Sequence, residues 1–375
     1  MGKDIIDTIN SENESYSDDS LFNITSFGTD LSYREIVTMY EDGDLEKPEL
    51  QRKYVWTKKE ASRFIDSVLL GLPVPSIFLA KTEDDKRLIV DGYQRIMTMY
   101  DYMNGIFSGD NKVFKLANTK EINSNWRGKA FSELTDEQKR RIRTSPIHAI
   151  IFEQKIPKND TGMYQIFERI NTGGRTLKPQ EIRNCVYHGS FNKLLFELNR
   201  EEVWRNVLGS NQEDSRMADV ELVLRFFAFS DIISRDEIRQ NQIILSKFLN
   251  DYMEDFRNLN ELEYQYKKEI FINTIDFLHT TIGLNVFRTL KRKNQDIIWA
   301  KRVNPVVFDA VCSASVFVSE KHSDKLTTTL EKYIELLEDE SFKESTTNRT
   351  TNTEHIKTRI SRAAMILYGV EISYE

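Results

Sequence analysis

Apolar residues recur at helical spacing in several capped stretches of the first half of the chain. Leu31 to Gly43, LSYREIVTMYEDG, predicts a short amphipathic helix ending near the glycine. Thr57-Lys58-Lys59-Glu60 matches a capping box, in which the Thr and Glu side chains each satisfy a backbone N–H of the other. Behind it Ala61, Phe64, Ile65, Val68 and Leu69 keep helical spacing as far as Gly71. Pro73 and Pro75 end that helix and lead into a short strand, Ser76 to Ala80. After a polar turn from Lys81 to Lys86, Arg87 to Asp91 predicts a second strand. Gly92 breaks it, and Gln94 to Met103 predicts a helix stopping at Asn104-Gly105. Lys112 to Leu116 reads as a third strand and Thr135 to Gln138 as a second capping box, opening a basic helix. Ile147 to Phe152 is a strong strand.

From about Thr161 the period becomes helical almost throughout. Met163, Ile166, Phe167 and Ile170 form one stripe, broken at Asn171-Thr172-Gly173-Gly174. Pro179 suits the first turn of the next helix, which carries Ile182, Cys185 and Val186. Further helices are predicted around 190–208, 217–232, 235–257, 259–293, 304–320, 323–340 and 352–368. No internal repeat of fixed period stands out. The fold class expected is α+β: a mixed α/β domain over 31–188, then an all-α helical domain over 189–375.

Charge changes the picture at the N-terminus. Residues 1–30 carry seven acids and one base, −6 of the total −7, and few large apolar side chains. That composition predicts a flexible acidic tail over 1–30. The bases of the near-neutral remainder cluster at Lys139-Arg140-Arg141 with Arg143, at Lys291-Arg292-Lys293, and at Lys357, Arg359 and Arg362. Solvated helix faces explain such clusters better than nucleic-acid contacts do. A near-neutral body argues against strong nonspecific DNA binding driven by counterion release. No stretch approaches the roughly 18 consecutive apolar residues of a membrane span, and the first residues lack the basic-then-apolar order of a secretory leader. Cys185 and Cys312 are the only cysteines, too few for a disulfide scaffold or a zinc site built on cysteine pairs. A cytoplasmic protein without membrane partners is the expectation.

Three segments offer chemistry. In Val90-Asp91-Gly92-Tyr93-Gln94-Arg95 a strand delivers Asp91 to its end, glycine turns the chain, and a helix begins. Helix N-termini expose backbone N–H groups and favour anions, and Arg95 adds a planar donor suited to phosphate. Asp91 is placed to hold a divalent cation or orient a water, and Gln94 to hydrogen-bond a base, a phosphate or that water. The plainer reading has Asp91 capping the helix and Arg95 pairing with a surface acid. In Pro48-Glu49-Leu50-Gln51-Arg52-Lys53-Tyr54-Val55-Trp56, a loop closing on a nucleotide would put Arg52 on phosphate and Tyr54 or Trp56 on the base. Taken alone, that segment favours aromatic anchors for the loop. In Phe167 to Leu177, followed by Glu181-Ile182-Arg183-Asn184, two adjacent glycines among Arg169, Arg175 and Arg183 suggest a phosphate cradle. It lacks the Lys-[Ser/Thr] ending of a P-loop, and a helix-to-helix cap with Glu181 and Arg183 in interhelical pairs explains it better.

Other chemistries find little support. His148, His188, His279, His322 and His355 are scattered and form no H-E-x-x-H pattern; there is no G-x-S-x-G elbow. Cys185 reads as a packed thiol, and Met97, Met99 and Met103 as core.

The order of the segments is more specific than any one of them. P-x-x-Q-R-x-Y-V-W, then F-I-D-S-V-L-L-G-L-P-V-P-S-I-F-L, then V-D-G-Y-Q-R, then F-E-R-I-N-T-G-G-R-T-L-K-P-Q-E-I-R-N resembles the N-terminal domain of GmrSD-type restriction endonucleases, in the ParB/sulfiredoxin-like superfamily. Met217 to Phe227 also resembles the helical part of such proteins, so the likeness covers roughly residues 31–320. It implies a ParB-like core whose D-G-Q-Q-R motif binds and hydrolyses a nucleoside triphosphate with Mg²⁺, as part of an attack on foreign DNA. Carried over, the motif maps to Asp91, Gly92, Gln94 and Arg95, with Gln51 and Arg52 as companions and Asn171, Thr172, Gly173 and Gly174 bracing the pocket. Asp91, Gln94 and Arg95 would be catalytic, and Asp91 the metal ligand. Tyr93 stands where the family usually has glutamine, and either stacks on a base or packs.

Family members of full length carry a His-Asn-His-type nuclease domain, and residues 190–375 show no such histidine-rich motif. The expectation is an NTPase that acts with DNA or a separate nuclease or defence protein and does not cut DNA by itself. The alternative is a non-enzymatic DNA- or partner-binding module with a degenerate nucleotide pocket. A third reading, the ParB-like core as a nuclease, lacks an evident cluster of metal-binding acids.

Overall fold

The computed structural model describes residues 6, 23–46, 56–82, 85–156, 161–170, 177–294 and 296–374. The chain is mixed α/β and divides into two compact units. One takes residues 18–177 with Asn184–Val186, and the other Lys178–Arg183 and 187–375 with the first residues of the chain.

The first unit is built on a five-stranded sheet. In chain order its elements are β1 (Asn23–Ser32), α1 (Tyr33–Asp42), β2 (Leu45–Glu46), α2 (Lys58–Leu70), β3 (Ile77–Lys81), β4 (Arg87–Asp91) and α3 (Tyr93–Asn104). A small hairpin, β5 (Ile106–Phe107) and β6 (Lys112–Val113), follows, then α4 (Asp136–Thr144), β7 (Pro146–Ile156) and α5 (Thr161–Ile170). The strand order is β1-β7-β3-β4-β2. β1 runs antiparallel to β7, β7 parallel to β3, β3 antiparallel to β4, and β4 parallel to β2.

The local signals explain most of these elements. Both expected capping boxes form: Thr57 Oγ1 accepts from Glu60 N at 3.3 Å, and Thr135 Oγ1 from Gln138 N at 3.2 Å. α1 begins with a third box, Ser32 with Glu35, and ends at Gly43. Ile77, Leu79, Ile89, Ile147, Ala149 and Ile151 turn one face of the sheet into the core. Onto that face pack Ile36 and Val37 of α1, Phe64, Ile65 and Val68 of α2, and Ile96 and Met99 of α3. Burying each such side chain contributes roughly 1.5–3 kcal/mol.

One expectation fails in this unit and another is met only in part. The acidic head does not stay a tail as far as residue 30, because Asn23–Ser32 pairs along β7 as an edge strand. Its partner lies more than a hundred residues away, which no local pattern announces. Lys112–Val113 does form a strand, but only in the β5–β6 hairpin, outside the main sheet.

The second unit is helical: α6 (Pro179–Val186), shared at its end with the first unit, then α7 (Ser190–Asn199), α8 (Glu202–Leu208), α9 (Ala218–Ser230), α10 (Leu245–Asp255) and α11 (Glu261–Ile282). After a hairpin come α12 (Pro305–Lys321), α13 (Leu330–Glu338), α14 (Glu340–Thr347) and α15 (Thr353–Tyr368). That hairpin, β8 (Leu290–Lys293) with β9 (Asp296–Trp299), corrects the all-α expectation and the helix predicted through 259–293. α11 stops at Gly283, and Asn294 takes a positive φ of 59° to turn the strands. Trp299 then stacks on Tyr333 with ring centroids 6.2 Å apart. Inside the unit Arg225 pairs with Asp309 through two nitrogens at 3.0 and 2.5 Å, both residues buried. Trp204, Phe226, Phe227, Phe271 and Phe308 surround this region with edge-on and tilted ring contacts. Among the described residues, no helix is long and apolar enough to cross a membrane.

Candidate functional site

The strand–glycine–helix junction forms as its sequence predicts. β4 ends at Asp91, Gly92 takes φ 101°, and α3 starts at Tyr93. A Cβ on Gly92 would lie 2.4 Å from Ile77 Cγ2, so the turn needs glycine for space as well as for conformation.

Arg95 reaches back across this turn. Its Nη2 donates to Asp91 Oδ2 at 2.6 Å and to the Ser76 carbonyl at 3.0 Å, fastening the end of β4 to the residue before β3. The Arg95 Nε–H is buried and meets no acceptor among the described residues. The Tyr33 hydroxyl, at the start of α1, is likewise buried without a hydrogen-bond partner among the described residues. Burial pushes the Tyr33 hydroxyl pKa well up, and the Arg95 charge partly offsets that rise. Orphaned buried polar atoms are rare in folded proteins and ask for a ligand or an ordered water.

The residues around Arg95 take different parts. Gln94 Oε1 accepts from the Trp56 backbone N at 3.3 Å, and the Gln94 carbonyl accepts from Thr98 Oγ1 at 2.7 Å. Tyr93 is only 7% exposed and belongs to the core cluster, so it packs in place of presenting a face to a base. Burial first, and the nearby Asp101 second, push its hydroxyl up to about 12.

Topology brings helix starts to this end of the sheet. Ser32 of β1 pairs with Pro146 at the start of β7, β7 and β3 start together, and β4 ends beside the start of β3. α1 and α3 therefore begin at the same end. The Trp56–Gln94 bond brings the start of α2 there as well. Each N-terminus carries about half a positive charge. Glu35 and Glu60 in their capping boxes answer the first turns of α1 and α2. α3 has no side-chain cap and no acid in its first turn. Arg95, its charge offset by Asp91, and the α3 N-terminus thus make a polar corner rich in N–H donors.

Asp91 keeps a half-exposed side chain with one oxygen on Arg95. Among the described residues no group of three or more His, Cys, Asp or Glu could hold a metal ion. One carboxylate fits Mg²⁺ only when phosphate and water oxygens complete the shell.

The other sequence candidates separate. Gln51, Arg52, Asn171, Thr172, Gly173 and Gly174 lie outside the described residues, as do Tyr54 and Arg175. Trp56 anchors its loop against Phe64, with centroids 5.7 Å apart. Arg183 is not a phosphate ligand: it is buried, with Nε on Asn250 Oδ1 at 2.8 Å and Nη1 on Gln180 and Glu221 at 3.1 and 3.0 Å. Glu181 pairs with Arg216 at 2.8 Å. Several members of the basic clusters are also engaged: Arg143 lies over Phe131, Arg292 pairs with Glu338, Arg362 with Asp339 and Lys357 with Glu354, while Arg359 is buried.

Residues 33–188, which span this junction and its helices, match the sequence model described as GmrSD restriction endonuclease, N-terminal domain. They belong to the GmrSD N-terminal domain family. No curated protein and no solved structure is significantly similar to the chain. A GmrSD N-terminal domain implies a role in a restriction or defence system. Within the GmrSD-type domain, Ser76 and Trp56 are partners of the motif that sequence reasoning missed. Both act through backbone atoms, which leave no trace in side-chain identity.

Proposed function

We propose that the GmrSD-type domain has a ParB/sulfiredoxin-like fold and binds a nucleoside triphosphate at the β4–α3 junction. Hydrolysis there would serve a restriction or defence complex that includes DNA or a separate nuclease. The observation that carries this reading is the corner itself: Arg95, held by Asp91 and Ser76 with an Nε–H unanswered among the described residues, beside the uncapped start of α3.

Each residue has a part in this reading. The α3 N-terminus and Arg95 receive phosphate oxygens and stabilise the charge that spreads over them in the transition state. Asp91 fixes the Arg95 guanidinium in place and offers its second oxygen toward the phosphates. Gln94, tied to Trp56, holds the entry of α2 against the motif; Arg52 and Gln51 stand a few residues before that entry in sequence. Mg²⁺ carried by the nucleotide would neutralise phosphate charge beside Asp91.

A second reading rests on Tyr93 and Asp91. The motif tyrosine is buried and the motif aspartate is already paired, which also suits a pocket that binds without turnover and docks DNA or a partner. Phosphate release decides between the two. The four ribonucleoside triphosphates are tested with Mg²⁺, with and without DNA, for the wild type, Asp91→Ala and Arg95→Ala. Turnover lost in both variants supports the enzyme. Calorimetric binding without turnover supports the module, and neither binding nor turnover removes the nucleotide from the proposal.

A further inference from the structure

Among the described residues the five-stranded sheet has one blunt edge and one open edge. The order β1-β7-β3-β4-β2 puts β1 and β2 at the margins, and β2 is only two residues long. β1 runs ten residues, Asn23–Ser32, and pairs regularly with β7 from Ile24 onward. Short strands, prolines, lysines and bulges are what keep a sheet edge from pairing with another chain. β1 has no proline or lysine, and its single charge, Asp30, is turned to His148 Nδ1 at 2.8 Å.

Hydrogen bonding fixes which residues face outward. Tyr33 N donates to the Ser145 carbonyl at 3.2 Å, so in this register the odd-numbered residues of β1 exchange backbone bonds with β7. The N–H and C=O groups of Ile24, Ser26, Gly28, Asp30 and Ser32 point the other way. Glu35 Oε2 accepts the Ser32 N–H at 2.6 Å, within the α1 capping box. No described residue bonds the outward backbone of the other four, and all four are exposed. Gly28 has only backbone to expose, and the His148 imidazole covers one side of it, so its exposure is that of the edge.

We propose that β1 pairs antiparallel with β1 of a second copy of this chain, about a two-fold axis at Phe27. A register that sets Ile24 opposite Asp30 and Ser26 opposite Gly28 makes hydrogen-bonded opposites of all four outward residues in each copy. Shifted by two residues, Ile24 meets Ser32, whose N–H Glu35 already holds, or Asp30 runs past the strand. Thr25 then opposes Thr29, a β-branched pair suited to strand pairing. Phe27 opposes its own copy in a non-hydrogen-bonded pair, where side chains lie nearest, and it is 53% exposed in the single chain. Like charges do not meet, because Asp30 faces Ile24. The contact is isologous and closes with two copies. This inference stands apart from the nucleotide reading, since β4 lies away from the β1 edge.

The test uses the full chain in roughly 0.15 M salt, which screens the net charge of −7 on each copy. Sedimentation of the wild type over a micromolar concentration series should show monomer and dimer and no larger species. Ser26→Pro removes an outward N–H and leaves the β7 ladder whole. Phe27→Lys sets two ammonium groups opposite each other. Both variants should stay monomeric where the wild type is dimeric and still melt cooperatively; Phe27→Lys decides if the proline unfolds the protomer. Cysteines read the register. Opposed Cα atoms in a non-hydrogen-bonded pair lie about 4.5 Å apart, inside the disulfide range, so Phe27→Cys should cross-link two copies under mild oxidation. Thr25→Cys should not, because its copies stand four residues, about 13 Å, apart along the strands. The native Cys185 and Cys312 are buried and do not compete. A wild type monomeric throughout, whose edge then serves another protein's strand or none, overturns the proposal. So do dimers that survive Phe27→Lys, or equal cross-linking from Thr25→Cys and Phe27→Cys.

Discussion

Gly92 and Ile77 meet so closely that a single methyl on the glycine would sit 2.4 Å from Ile77 Cγ2. This contact sets how near the start of α3 comes to β3, and so whether Arg95 can hold Asp91 and the Ser76 carbonyl at once. Gly92→Ala should destabilise the chain by about 2–4 kcal/mol, from the positive φ and the overpacking together. Ile77→Ala in the same chain removes the clashing Cγ2 and should cost less in combination than the sum of the two single changes. Denaturation midpoints of the four proteins check this; strict additivity would contradict it.

Arg183 should prove structural. Truncation to Ala leaves Gln180, Asn250 and Glu221 without their shared donor inside the helical unit. Glu221 is partly exposed, which limits the cost to about 3 kcal/mol. The loss should appear in thermal or chemical unfolding. A variant of wild-type stability with weakened nucleotide binding would restore Arg183 to the phosphate cradle.

Lys267 predicts a dependence of stability on pH. Its ammonium lies among Phe191, Phe227, Tyr252 and Phe256, 4.2 Å from the Phe256 centroid, and donates to Tyr252 Oη at 2.9 Å. Burial lowers its pKa, and Asp231 only partly offsets that. The folded state therefore holds fewer protons than the unfolded one between the lowered value and the ordinary lysine value of about 10.4. Stability contributed by this group rises as pH climbs through that window. Lys267→Met fills the same aromatic box without the charge and should be neutral or stabilising at pH 7. The wild type should gain on the variant as pH rises toward 10, measured as the difference between paired unfolding curves. A constant difference would show that the ammonium is not desolvated.

The two cysteines should resist thiol reagents. Cys185 and Cys312 are buried and form no disulfide, and burial raises the Cys312 thiol well above its ordinary range. Thiolate is the reactive form, so labelling should follow unfolding in a denaturant series. Labelling of Cys312 in the native protein would reveal local opening of α12.

The Asp91–Arg95 motif was legible because it is local: strand, glycine and helix start lie within six residues, and each step has its own residue signal. The same holds for the capping boxes of α2 and α4, where the two partners stand three residues apart. Fold class followed from the change of period near residue 161, and the aromatic anchor at Trp56 from its place before a capped helix.

What the sequence determined by itself was therefore local: where helices start and stop, and which glycine a turn requires. Tertiary structure alone decided that Asn23–Ser32 is a strand, because its hydrogen bonds come from β7 and not from its own neighbours. It decided that Arg183 is committed to Asn250 and Glu221, which lie 67 and 38 residues away. It also joined Asp30 to His148 across 118 residues. Periodicity records which face of an element is apolar; which elements then share that face depends on the sheet order, and sheet order is fixed by long-range pairing.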